Sequence, residues 1–299
     1  MTEAQRITQA LRGHWYGSYG LAFCPAHQNT KTPALSLSDA PDGRLLLRCH
    51  AGCSFLSILD ALRGLGIVEG HGTVPRTDPA EMARREAEQR REAMKKAEQA
   101  RRCWTEAQPI QGTLAETYLR SRGITCTLPK SLRFHPECWH GATAQRHPAM
   151  IAQVEGVAHF AVHRTYLRPD GTGKAAIDPP KAMLGNVAGG AVRLADGPDA
   201  LAVGEGVETA LSLLCGPLRG SVAVWASLSA GGMKALHLPS RPGTLIIAID
   251  NDEPGRTAAH DLAVKAEALG WAVTLFPAPT DQAGGDWNDV LMTMKGAAA

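Results

Sequence analysis

The chain has 299 residues, 44% hydrophobic and 20% charged, which is enough for two or three domains and a real core. No run of eighteen apolar residues occurs, so a membrane-spanning helix is excluded, and Met1–Arg6 lacks the apolar stretch of a secretory signal. The net charge of +2 hides an asymmetry: residues 1–195 hold 25 Lys and Arg against 17 Asp and Glu, whereas residues 196–299 hold 6 against 12.

That split suggests a basic part able to hold a phosphate backbone and an acidic part that must recruit cations. A cytoplasmic protein without membrane contact is expected. Seven cysteines, odd and sparse, point to reduced thiols and a metal site rather than a disulfide framework.

In chain order, a short helix is expected over Thr2–Leu11, followed by Trp15, Tyr16 and Tyr19 among glycines. Next comes Cys24-Pro-Ala-His27, a gap, and Cys49-His50-Ala-Gly-Cys53. Two ligand pairs across a short hairpin match a tetrahedral structural zinc site of Cys₃His type: Cys24, His27, Cys49 and Cys53. Between them Ala34–Ser38 and Arg44–Arg48 read as strands joined through Ala-Pro-Asp-Gly43. With Lys31-Thr32-Pro33-Ala-Leu-Ser, residues 15–65 resemble the zinc ribbon at the front of bacterial and phage primases. The second pair here has three intervening residues where many relatives have two, which leaves His50 open as an alternative to Cys49. Metal binding should supply folding energy on the order of 10 kcal/mol to so small a unit. Lys31, Arg44, Arg48 and the neighbouring aromatics are candidates to contact single-stranded template.

Residues 54–66 predict an amphipathic helix ending at glycine, and 70–77 a linker. From Asp78-Pro79 to about Ala107 the sequence is Ala, Glu, Arg, Lys and Gln without an apolar stripe. Thr77 or Asp78 can cap this helix and Pro79 suits its first turn. Charges of both signs at helical spacing predict a long solvated spacer, although eight basic residues between Arg84 and Arg102 would also suit nucleic acid.

Residues 108–195 predict a small mixed domain: a helix over Thr113–Arg122 closed by Gly123, the segment Leu132–Pro136, and strands Ala149–Val154 and Ala158–Leu167. Histidines 135, 140, 147, 159 and 163, with Cys126 and Cys138, lack tight ligand spacing and read as structural.

The remainder alternates strand and helix: strands at 200–204, 221–226, 244–250 and 271–276, helices at 206–215, 231–237 and 255–269. This predicts a parallel sheet with helices on both faces. Two of its strands stop at acids, Gly204-Glu205-Gly-Val-Glu208 and Asp250-Asn-Asp252-Glu-Pro-Gly255, and ligands of such sheets bind at the carboxyl ends of the strands. If the ends adjoin, Glu205, Asp250 and Asp252 converge, and like charges about 4 Å apart repel by roughly 4 kcal/mol at an effective dielectric near 20. Such a cluster persists if it binds divalent cations, and hard oxygen ligands with no nearby Cys or His favour Mg²⁺ or Mn²⁺ over zinc.

At these residues the chain resembles the Toprim domain of bacterial-type primases, type IA and type II topoisomerases and small nucleases, over roughly 196–295. The resemblance implies that Glu205 is the catalytic or metal-polarising Glu, that Asp250 and Asp252 hold metal, and that Asp286 in Gly284-Gly-Asp-Trp-Asn-Asp289 supports a second metal or its loop. Primases usually have Asp four residues after the Glu; here that position is Thr209, and Glu208 is the candidate substitute. Residues 108–195 are similar to the subdomain preceding Toprim in primases, which makes Arg164, Lys174 and Lys181 candidates for holding template and nucleotide phosphates.

The expected fold class is therefore α/β, with a zinc ribbon (1–70), a charged helical linker (71–107), a basic subdomain (108–195) and a Toprim domain (196–299). The expected function is DNA primase, making RNA primers on single-stranded DNA from nucleoside triphosphates with structural Zn²⁺ and catalytic Mg²⁺ or Mn²⁺. The alternatives are a Toprim nuclease and a non-catalytic single-strand-binding module of a mobile element. Topoisomerase is disfavoured, because no separate domain with a nucleophilic Tyr is evident among four tyrosines. No Gly-x4-Gly-Lys-Ser/Thr motif occurs, which points to a helicase partner in trans or to a mobile-element setting.

Overall fold

The structure, a computed structural model, describes residues 2–27, 33–40, 43–68, 79–218 and 221–296. Lys31, the 70–77 linker, the Thr77 or Asp78 cap and the Ala297–Ala299 end lie outside the described residues. The chain divides into two compact units, Met1–Met82 and Ala83–Ala299. No described helix is long and apolar enough to cross a membrane.

The first unit opens with α1 (Glu3–Ala10), whose Thr2 cap accepts a hydrogen bond from the Gln5 amide. Four antiparallel strands follow in sequential order: β1 (His14–Trp15), β2 (Gly20–Ala22), β3 (Leu35–Asp39) and β4 (Leu45–Cys49). The expected hairpin is β3–β4, in register from Leu35 opposite Cys49 to Asp39 opposite Leu45. Helix α2 (Phe55–Gly64), capped by Ser54, closes the unit. Its core is small: Ala4 and Ile7 from α1, Leu35 and Leu37 from β3, Ile58 and Leu62 from α2. A core of this size is small for independent stability, and a metal held by the cysteines of this unit would add to it.

Helix α3 (Pro79–Glu106) spans 28 residues. From Ala83 to Gln99 its side chains are exposed or half-buried, as its composition predicts. One face of its last turns is packed: Ala100 and Cys103 are buried against Cys138, Ala149 and Tyr166. The Arg133 guanidinium lies 4.4 Å over the Trp104 ring and donates to the Trp104 carbonyl at 3.1 Å. An expectation based on the missing apolar stripe overlooked that two small residues and one Trp are enough to dock a helix end.

The sheet that receives it has the order β5 (Gln108–Pro109), β6 (Leu132–His140), β7 (Gln145–Val154), β8 (Ala161–Tyr166), β9 (Lys181–Leu184), antiparallel throughout. Helix α4 (Leu114–Ser121) lies between β5 and β6 in sequence and covers the face away from α3, through Tyr118 and Leu119. Both faces of this sheet are therefore covered, and β8 reads as almost continuously buried.

The second sheet has the order β10 (Val192–Ala195), β12 (Val222–Ala226), β11 (Ala200–Gly204), β13 (Thr244–Ile249), β14 (Ala272–Pro277). Strands β11 to β14 run parallel to one another, as expected. Strand β10 corrects the expectation of a purely parallel sheet, because it adds an antiparallel edge beside β12. Its Val192 and Leu194 alternate into the core, and an antiparallel edge on a parallel sheet is a common way to finish one. Helices α5 (Val207–Cys215) and α8 (Trp287–Gly296) cover one face; α6 (Ala230–Ala235) and α7 (Glu253–Ala268) cover the other. Helix α8 was not foreseen. Along β11, Ala202 faces the first layer while Leu201 and Val203 face the second. The first layer is continuous with α4 and the inner face of the preceding sheet, so both sheets share one core. The α/β fold class expected from the sequence is the one observed.

Candidate functional site

Two groups of chemistry-bearing side chains stand out, one in each unit. In the first, the ligand atoms of Cys24, His27, Cys49 and Cys53 all lie within 4.8 Å of one another. His27 Nδ1 is 3.1 Å from Cys53 Sγ and 3.8 Å from Cys49 Sγ. A tetrahedral ion bonded to sulfur at about 2.3 Å requires ligand separations of just under 4 Å, so this donor set fits Zn²⁺. Gly52, at φ +90°, turns the chain between Cys49 and Cys53, a conformation that L side chains rarely adopt. His50 points elsewhere, with Nε2 3.2 Å from Ser36 Oγ. Arg48 lies on the exposed face of β4.

The second group forms where β11 and β13 end. Glu205 follows β11, and its carbonyl accepts from the Leu228 amide at 2.7 Å. Gly204 allows close packing here, since a Cβ would sit 3.3 Å from the backbone of Ala210 in α5. Asp250 follows β13, and Asp252 caps α7 through a 2.6 Å bond from the Gly255 amide to Oδ1. The Asp-Asn-Asp-Glu-Pro-Gly turn is therefore both a helix start and a cluster of acids. Asn251, the residue between the aspartates, was not singled out from sequence. Its Nδ2 donates to the carbonyls of Thr280 and Gln282 at 3.0 Å, and its amide donates to Gly285. These bonds pull the 280–285 loop against the β13 end and deliver Asp286. Asp286 caps α8, accepting from the Asn288 and Asp289 amides on Oδ1, while Oδ2 accepts from the Thr209 hydroxyl at 3.2 Å.

Burial, then the charges of Asp286, Glu205 and Asp252, push Asp250 up to about 7. Burial and Asp252 also raise Glu205. Asp250 Oδ1 is buried without a hydrogen-bond partner. An orphaned carboxylate oxygen among three other acids fits a divalent cation with hard ligands, Mg²⁺ or Mn²⁺. Among the described residues, only the Cys/His set draws its ligand atoms together as tightly as 4.8 Å; the acids are neighbours in a looser group.

The expected basic residues separate. Lys174 and Lys181 reach the buried Glu208 carboxylate, each at 3.5 Å. Lys181 also offsets the charges of Glu205 and Asp250. Arg164 is not brought to this group. It shares the α3 side of β8 with Val162 and Tyr166 and donates to the carbonyls of Trp139 at 3.1 Å and Met183 at 3.2 Å. Glu208, the candidate substitute for a metal-binding Asp, turns away from the acids toward the lysines, and Thr209 takes the contact with Asp286.

Sequence reasoning also passed over Tyr118, whose hydroxyl donates to Glu208 Oε1 at 2.6 Å. It read His163 as structural; this residue is buried on the Lys181 face, and burial with the charge of Lys181 lowers it to about 4. Trp287 and Asn288 were legible only as neighbours of Asp286. Trp287 stacks on Phe276 at 4.4 Å, and Asn288 Nδ2 donates to the Arg122 carbonyl and Ser212 Oγ.

A family model described as the Toprim domain matches residues 200–298. Residues 200–298 form a Toprim domain. The acids Glu205, Asp250, Asp252 and Asp286 all lie within it, whereas Lys174 and Lys181 belong to the preceding segment, where residues 94–194 match a domain of unknown function (DUF7146). Among solved structures, the chain is similar to the zinc binding and RNA polymerase domains of the Aquifex aeolicus primase. That match has 12% identity and a TM-score of 0.43, over 100% of this chain and 81% of the other. It is also similar to the primase fragment of the bacteriophage T7 primase-helicase protein, at 18% identity and a TM-score of 0.31, over 50% of this chain and 63% of that fragment. No curated protein sequence matches.

Proposed function

We propose that the chain is a primase-type nucleotidyltransferase that joins nucleoside triphosphates into short RNA on single-stranded DNA. The observation that carries this reading is Asp250, half-buried with an enclosed, unpartnered Oδ1 among Glu205, Asp252 and Asp286, with Lys181 close enough to offset their charge. Glu205, Asp250 and Asp252 would hold the cation, and Asp286 would support them. Bound Mg²⁺ or Mn²⁺ supplies the charge that lowers the pKa of an attacking 3′-hydroxyl and stabilises departing pyrophosphate. Lys174 and Lys181 neutralise phosphate oxygens beside the acids. Cys24, His27, Cys49 and Cys53 hold structural Zn²⁺, and Arg48 and Lys31 offer template contacts from that unit. Single-stranded DNA and nucleoside triphosphates are the partners this chemistry requires, with a helicase in trans.

The test is incubation of the purified chain with single-stranded DNA, labelled nucleoside triphosphates and Mg²⁺ or Mn²⁺, followed by sizing of the products. New oligonucleotides are expected, and Asp250→Ala should abolish them without changing zinc content. Cleaved template in place of new strands would make the chain a nuclease. Tight binding that survives EDTA, with no turnover, would make it a binding module.

A further inference from the structure

An enclosed carboxylate that stays ionised needs partners, and the choice of partners at Glu208 is informative. Only 3% of this residue is exposed, on the first helix turn after Glu205. Lys174 reaches Oε1 and Lys181 reaches Oε2, each at 3.5 Å, and the Tyr118 hydroxyl donates to Oε1 at 2.6 Å. Burial works to raise Glu208, and Lys181, Lys174 and Tyr118 overcome it and hold the group far below the usual carboxylate range. The two lysine side chains are 36% exposed, so the anchor is enclosed while its ammonium groups still meet solvent. Each ammonium has three donors; Glu208 accepts a hydrogen bond from Lys181 and pairs with the charge of Lys174, which leaves donors on both for a further acceptor.

We propose that Glu208 is a positioning residue: it holds the Lys174 and Lys181 ammonium groups as a spaced pair that receives the phosphate oxygens of a nucleoside triphosphate beside the acid cluster. The role of the bound triphosphate as substrate rests on the polymerising reading above. A purely structural pin between α4 and α5 would need only the Tyr118 bond and one compensating cation. Two lysines on one carboxylate leave a surplus positive charge, and Lys181 directs part of it toward Glu205 and Asp250. Burial also disfavours the charged form of Lys174, and Glu208 opposes that loss.

Charge and position predict opposite signs, which makes the proposal testable. If Glu208 acts only through its charge, Glu208→Gln removes a negative group and tightens binding of a polyanion. If it positions the lysines, the same change lets them separate and weakens binding. The experiment is calorimetric titration of the full chain with tripolyphosphate and Mg²⁺, with thermal melting in parallel. Loss of one well-placed charge-assisted contact predicts about tenfold weaker binding for Glu208→Gln, measured at a temperature where the melting curves show both proteins folded. Equal or tighter binding overturns the proposal. Should Glu208→Gln fail to fold, Glu208→Asp keeps the charge and retracts it by one methylene; unchanged affinity in that variant overturns the proposal equally. Wild-type protein that binds tripolyphosphate through Glu208 but makes no oligonucleotides would remove the polymerising reading and leave the clamp. Primer synthesis with no dependence of tripolyphosphate binding on Glu208 would do the reverse.

Discussion

The Thr209 hydroxyl donates to Asp286 Oδ2 at 3.2 Å, tying the first turn of α5 to the loop that starts α8. A hydroxyl therefore stands where a carboxylate would add a fifth negative charge to the group. Thr209→Val should cost about 1 kcal/mol, the ordinary worth of one such bond. Thr209→Asp should be destabilised further without metal, and should recover more than wild type when Mn²⁺ is added. Melting curves in EDTA and in Mn²⁺ check both; an identical Mn²⁺ response in the two proteins would mean that position 209 does not sense the cation.

Asp250 gives the metal-free protein a pH signature. Its carboxyl moves from an ordinary 3.8 up to about 7 in the fold, because burial and three neighbouring acids oppose its charge. Below about pH 4 it is protonated whether folded or not, so nothing is lost. Above about pH 7 it is ionised in both states, and the folded state bears the whole penalty. Stability should thus fall as pH rises from about 4 to about 7. Asp250→Asn should exceed wild type at pH 8 by roughly 4 kcal/mol, with the gap closing toward pH 4. Urea unfolding in EDTA at the two pH values measures this, and a gap independent of pH would refute the assigned cause.

In the first unit, the contrast between His50 and its neighbours is decisive. His50→Ala should keep one zinc per chain, because that ring faces Ser36 and not the cluster. Cys49→Ala or His27→Ala should lose the metal and, with it, on the order of 10 kcal/mol of folding energy from a unit with little core. Metal analysis with hydrogen exchange resolved by segment reads both effects. Protection of residues 108–296 should be unchanged in all three variants.

Arg164 and Lys181 should behave differently despite equal charge. Arg164 is committed to two carbonyls on the α3 side of β8, so Arg164→Gln should lower the melting temperature and leave polyphosphate affinity as it was. Lys181→Gln should weaken polyphosphate binding by about tenfold. A comparable loss of binding in both would place Arg164 back beside the acids.

Much of the molecule is written locally. The spacing of Cys24, His27, Cys49 and Cys53 identifies a set of potential metal ligands because ligand pairs on turns are a short-range property. Strand runs that end at Glu205 and Asp250 identify the Toprim strands because buried parallel strands are uninterrupted apolar runs. What the chain does not state on its own is which way a side chain faces when both sides of its sheet are covered. On β8 the burial is nearly continuous, so alternation cannot tell Arg164 from the residues of the opposite face, and only the packed α3 on one side and α4 on the other decide it. Likewise, a Glu three residues after Glu205 reads as one more acid until Lys174, Lys181 and Tyr118 arrive from distant segments. The types of group were fixed by the order of residues; their partners were fixed by long-range packing, because the electrostatic cost of enclosing Glu208 is met by residues 27, 34 and 90 positions away.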